Sequence, residues 1–177
     1  VGGLIGTSFS NIDNVFVSGI VDGKDTVGGL IGYSSGNVKN VSADVNVSGN
    51  FILGGLIGYT NGNVNNVSVN GSVTGRLADS FNVGGLAGIN IGLFANAIVN
   101  SQVTGKDDVG LIVGQTYNSM TNIYATGKIN GQSQSDNLLV GTDLSSFNNG
   151  TLTNLKALSA DNFKKKETRA KKQDIKS

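Results

Sequence analysis

Apolar and polar residues alternate with a period of two along several stretches of the chain. Val41, Ala43, Val45 and Val47 alternate with Ser42, Asp44, Asn46 and Ser48, the pattern of a strand with one buried face. The same row recurs as Val67, Val69, Gly71, Val73 and as Ile123, Ala125, Gly127, Ile129. The inward residues are small or β-branched, so the predicted interior is narrow and filled by stacked aliphatics. Outward positions are mostly polar. Phe16, Ile20, Ile98 and Tyr124 are isolated exceptions of a kind that ordinary surfaces carry.

A second pattern precedes each strand. Val1-Gly2-Gly3-Leu4-Ile5-Gly6 returns with starts at 27, 53, 83 and, in degenerate form, 109, giving steps of 26, 26, 30 and 26 residues. A weaker sixth copy is Leu138-Leu139-Val140-Gly141. A fixed step of this length means stacked coils, and it is too short for a propeller blade. Glycine stands at one place in every coil, which marks a corner needing positive φ or close backbone approach. The expected fold is all-β: a parallel β-solenoid (β-helix) of about six coils of 26–30 residues over residues 1–158. Residues 159–177 are read as a basic helical cap, linker or tail, with Ser159 capping a helix over about 160–173. A leucine-rich-repeat horseshoe shares this period, but the Leu-x-x-Leu-x-Leu pattern is missing.

One polar residue keeps step with the coils: Asn14, Asn40, Asn66, Asn96, Asn122 and, after an insertion, Asn154. Identical amides stacked at the strand spacing can bond up and down the stack. Because core valines flank them, this row is read as structural rather than as a surface offered to a sugar.

Composition narrows the chemistry. The chain has no His, Cys, Pro or Trp beside 27 Gly, which removes thiol nucleophiles, disulfides, and imidazole or thiolate metal sites. Residues 164–177 carry seven basic and two acidic residues, +5, so residues 1–163 carry six and ten, −4. A mildly acidic body argues against nucleic acid as a partner, since phosphate binding depends on Lys and Arg. No run reaches the roughly 18 apolar residues of a membrane helix, and no membrane insertion is expected. None of the glycine-rich runs leads into an amphipathic helix with the lysine a phosphate loop requires. Single carboxylates at Asp13, Asp44 and Asp143 do not pair for acid–base work. No enzyme activity, cofactor or metal is expected. The chain opens inside a motif, so neighbouring domains of a longer parent chain are expected partners.

The repeated Val-Gly-Gly-Leu-Ile-Gly, followed by Asn37-Val38-Lys39-Asn40-Val41 or Asn63-Val64-Asn65-Asn66-Val67 and ending Val-Thr-Gly, resembles the GLUG repeat. That family occurs in bacterial surface and secreted proteins, including filamentous-haemagglutinin-like adhesins and the N-terminal regions of IgA-specific metalloendopeptidases. The resemblance implies an extracellular or cell-surface location and a non-catalytic, adhesin-type scaffold. The alternative it implies is an accessory, substrate-presenting region of a secreted protease. A zinc protease of that type needs a His-Glu-x-x-His helix, and without histidine this chain would be a non-catalytic segment of it.

The candidate ligand site is a loop. The step of 30 residues comes from an insertion after Gly75, and solenoid insertions bulge outward because neighbouring coils fix the core length. It carries Arg76, Leu77, Asp79 and Phe81 beside a charged rim of Lys24, Asp25, Lys106 and Asp107. Arginine with an aromatic is a frequent hot-spot pairing, so these four residues are the expected contact for a host glycoprotein or matrix ligand. The competing reading folds Leu77 and Phe81 back over the coil below.

Overall fold

The computed structural model describes residues 1–130, 132–133, 139–159 and 162. It is a parallel β-solenoid of about five turns with a three-sided cross-section. The first side stacks β1 (Ile5–Ser8), β4 (Ile31–Ser34), β7 (Ile57–Thr60), β10 (Ala87–Asn90), β13 (Val113–Thr116) and β16 (Val140–Asp143). The long side stacks β2 (Ile12–Asp22), β5 (Val38–Gly49), β8 (Val64–Gly75), β11 (Phe94–Thr104), β14 (Met120–Ile129) and β17 (Leu152–Ala157), with β15 (Gln132–Ser133) antiparallel to β14. The third side stacks β3 (Asp25–Gly28), β6 (Phe51–Gly54), β9 (Phe81–Gly84) and β12 (Asp107–Gly110). β16 and β17 thus supply two sides of a further, partial coil.

Register follows the repeat residue for residue. Val41 pairs with Val67, and Val67 with Ala97, which pairs with Ile123. The predicted inward rows are the core: Val41, Ala43, Val45 and Val47 are all buried, as are Val67, Val69 and Val73. Leu30, Leu56, Leu86 and, in the degenerate coil, Ile112 stack at the corner between the third and first sides, each essentially inaccessible. A Gly pair precedes Leu30, Leu56 and Leu86 because the backbone of the next coil passes there. A Cβ on Gly54 would collide with the Ile57 carbonyl and lie 2.7 Å from the Ala87 Cα.

The long strands depart from simple alternation at one place. Val38 and Val41 are both buried, so two consecutive residues, Lys39 and Asn40, face out. The chain manages this by placing Asn40 in the left-handed region, φ 53°, and Asn14, Asn66, Asn96, Asn122 and Asn154 do the same at φ 53–56°. Asparagine tolerates that conformation better than other side chains with a Cβ. The asparagine row therefore lies on the outside of the strands, where all six residues are exposed, and not in the buried row of Val41 and Val67.

A further row was not anticipated from the sequence. Ser8, Ser34, Thr60, Asn90 and Thr116 end the strands of the first side, and all are buried. Four of them use a hydroxyl to bond the carbonyl two residues on, as Ser34 does to Gly36 at 3.0 Å and Thr60 to Gly62 at 3.2 Å. A buried hydroxyl that closes its own turn is satisfied locally. Beyond Ser159 the expected helix lies outside the described residues, apart from Asn162, whose N–H meets the Ser159 hydroxyl at 3.5 Å.

Candidate binding edge

The insertion leaves the stack at Arg76 and rejoins it at Ser80. The Arg76 N–H bonds the Gly49 carbonyl below at 2.8 Å, while the Ser80 carbonyl accepts from Lys106 N–H above at 2.9 Å. Only Leu77, Ala78 and Asp79 lie outside that path. Ser80 is fully buried, and it closes the turn by accepting from Leu77 N–H at 3.0 Å and donating its own N–H to the Leu77 carbonyl at 3.1 Å. The loop is thus a tight bulge held by the scaffold.

The four predicted contact residues share this edge but do not act alike. Arg76 reaches back along it: its guanidinium pairs with Asp22 at 2.7 Å and donates to the Gly23 carbonyl at 2.5 Å. Asp22 also accepts from the Ser48 hydroxyl at 3.1 Å. The guanidinium is therefore part of a strap across neighbouring coils and is not set over Phe81. Asp79 is exposed at the tip. Phe81 packs on Phe51 of the coil below, ring centroids 4.8 Å apart, yet remains 39% exposed, and Leu77 is 42% exposed. Folding back and remaining available for contact are combined here.

Phe51, half-buried, is the ring against which Phe81 rests, and Asp25 and Asp107 stand in register on either side of the aromatic pair. Ile52, also half-buried, follows Phe51 in the chain. Phe51 stands two residues before Leu53 as Phe81 does before Val83, so aligning the repeats would have found it. Ile52 is unusual in conformation. It occupies the left-handed region at φ 55°, as do Thr26, Asn82 and Asp108 at the same corner of other coils. A β-branched residue there is strained, so the apolar side chain is kept against a local backbone preference.

The outer face of the long side carries bonded ladders. Asn66 donates to Asn40 at 2.7 Å, Asn40 to Asp13 at 2.8 Å, Asn122 to Asn96 at 3.3 Å and Asn154 to Asn122 at 2.8 Å. Asn96 breaks step and donates to Asn65 at 3.0 Å. Asp13 is held below the usual carboxylate range by the Asn40 amide and by Lys39, against a smaller opposing effect of desolvation. On the first side Tyr33 and Tyr59 stack face to face at 5.3 Å, and desolvation, followed by the neighbouring tyrosines, raises the Tyr59 phenol. Among the described residues no three His, Cys, Asp or Glu side chains come together to hold a metal ion, and no helix is long and apolar enough to cross a membrane.

Residues 25–48 match the family model described as the GLUG motif. This turn of the solenoid is a GLUG motif. It runs from the start of β3 through β4 to within one residue of the end of β5, so the GLUG unit here is one circuit of the three-sided coil, begun at the third side. No curated protein and no solved structure matches the chain.

Proposed function

We propose that the chain is a non-catalytic repeat scaffold of an extracellular or surface-attached bacterial protein, which presents the Phe51–Phe81 edge to a protein partner such as a host or matrix glycoprotein. The observation that carries this reading is an apolar pair, Leu77 and Phe81, left part-exposed on a loop that the scaffold holds at both ends, whereas the amide rows of the long side bond to one another. Recognition concentrates on loops held by rigid elements, and aromatic anchors dominate interface energetics. The rim of Lys24, Asp25, Lys106 and Asp107 favours a partner patch that is apolar at its centre and carries both signs of charge at its margin.

The test is binding of the purified chain to immobilised fibronectin, laminin, collagen and IgA, repeated with a Leu77→Ala/Phe81→Ala variant whose urea melt is measured alongside. The expected result is binding to a matrix glycoprotein that weakens at least about tenfold in the variant. Equal binding by both proteins removes the edge from the site. Binding to IgA alone moves the reading to the accessory region of a secreted protease.

A further inference from the structure

The long side carries a second feature, independent of the Phe81 edge. Phe16, Ser42 and Ser68 stand in one register row, and Ser18, Asp44, Asn70 and Asn100 in the next outward row. Because Ser42 and Ser68 are small, a trough of about 340 Å³ opens over them. Phe16, 69% exposed, lines one end, and Asp44, Asn70 and Asn100 line one flank.

That flank is pre-set. Asn70 donates to Asp44 at 3.0 Å and Asn100 donates to Asn70 at 2.8 Å. Asn70 uses one N–H and its oxygen in the relay and Asn100 uses one N–H, which orients both amides and leaves a second N–H on each. Asp44 keeps its other carboxylate oxygen, and the Ser42 and Ser68 hydroxyls make no hydrogen bond among the described residues. Spare donors and acceptors therefore alternate along the trough at the spacing of stacked strands, about 4.8 Å.

The chemistry of the lining selects among ligands. No Lys or Arg lines the trough, which disfavours phosphate or sulfate, and a single carboxylate is too few for a calcium ion. An extended peptide recognises a sheet through unpaired backbone at its edge, whereas the trough lies on the outer face of β2, β5, β8 and β11, where only side chains are presented. A neutral chain of pyranose rings fits. Its hydroxyls both donate and accept, as amides and serines do, its C–H face can lie on the Phe16 ring, and one sugar unit is close in length to one coil step. We propose that this trough is a binding subsite for a neutral, unbranched oligosaccharide, with Phe16 as the stacking platform and Asp44, Asn70, Asn100 and the two serines reading hydroxyls. Relay bonds hold the amides before the ligand arrives, so little side-chain ordering remains to oppose binding.

The test is an NMR titration of the chain with linear oligosaccharides of glucose, galactose, mannose and N-acetylglucosamine, with a Gly/Ser peptide as control. At least one saccharide is expected to give saturable shifts centred on Phe16, Ser68 and Asn70. Phe16→Ala and Asn70→Ala, both at exposed positions, are each expected to weaken it about tenfold or more, while Phe81→Ala leaves it unchanged. Silence with every saccharide overturns the proposal. So do shifts confined to the Phe81 edge, shifts produced by the peptide instead, or affinity that survives both trough variants. Loss of the trough alone leaves the matrix-glycoprotein reading standing, because its variants lie on another side of the solenoid.

Discussion

The hexapeptide Val-Gly-Gly-Leu-Ile-Gly occurs at 1–6 and again, unchanged, at 27–32, and the two copies have different fates. Leu4 is 60% exposed, whereas Leu30 is fully buried. A Cβ on Gly6 would meet nothing within 4 Å, but one on Gly32 would lie 2.7–2.8 Å from backbone atoms of Gly6 and Val1. Sequence is identical and only the neighbours differ, since the first coil is covered on one side and the second on both. In a solenoid the stability of a residue thus belongs to the interface between repeats more than to the repeat itself.

The sharpest way to break this comparison is to delete the same side chain from both copies. Leu30→Ala opens a cavity in a sealed stack and is expected to cost about 2–5 kcal/mol. Leu4→Ala removes a side chain already more than half in water and is expected to cost under about 1 kcal/mol. Urea denaturation of the two variants measures the difference. Similar midpoints would mean that the first coil is as well packed as the second and that neighbour coverage is not what matters.

The asparagine row gives a finer version. Asn66 sits in mid-row and Asn14 at its end, where Asn40 bonds Asp13 instead. Asn66→Ala gives up an amide rung and places alanine at positive φ, together expected to cost about 1–2 kcal/mol. Asn14→Ala bears mainly the conformational part, and Asn66→Gly mainly the rung. Thermal melts that rank Asn66→Ala as the most damaging of the three support this division. A full cost retained in Asn66→Gly would place the whole effect in the amide bond.

Ile52 bears on the same contrast from the opposite direction, as a residue of an inner coil whose backbone its neighbours cannot make comfortable. Asn82 and Asp108 hold the equivalent corner at φ 55° and 51° with side chains suited to it. Ile52→Asn is expected to stabilise the chain by about 1 kcal/mol, read as a raised melting temperature. In the matrix-binding assay the same variant is expected to bind more weakly, because the apolar patch shrinks. Lower stability would show that burial of the isoleucine outweighs the backbone strain.

Much of this architecture was legible in the sequence because a solenoid repeats its evidence. One coil's alternation is ambiguous, but the same inward row in successive coils is not, and the rows of Val41 and Val67 fall where the pattern puts them. What escaped notice depended on a single dihedral angle or on a side chain's reach. Reading Asn40 as enclosed by core valines assumed unbroken alternation. The signal against it was present, since polar pairs such as Lys39-Asn40 and Asn65-Asn66 break the period of two. The commitment of Arg76 to Asp22, 54 positions earlier, had no local trace. The buried Ser34 and Thr60 row was hidden because a hydroxyl that satisfies itself in a turn looks, in sequence, like any surface serine or threonine.

The smallest expected effect returns to the end of the stack. Asp13 accepts from Asn40 and lies 3.1 Å from Lys39, and these partners depress its carboxyl below the ordinary value of 3.8. A depressed carboxylate contributes stability that is present above its unfolded pKa, near about 3.9, and is lost as pH falls through the folded value. Acid below about pH 4 should therefore loosen the first rung of the amide row and leave the interior rungs intact. The side-chain amide resonances of Asn40 and Asn66, followed by NMR from about pH 5 to pH 2, separate the two. Asn40 is expected to titrate with a midpoint below that of a free aspartate, Asn66 to stay flat, and Asp13→Asn to abolish the Asn40 response. A matching titration at Asn66 would mean that the row behaves as one electrostatic unit, and the distinction between the terminal coil and the interior would fail at this level.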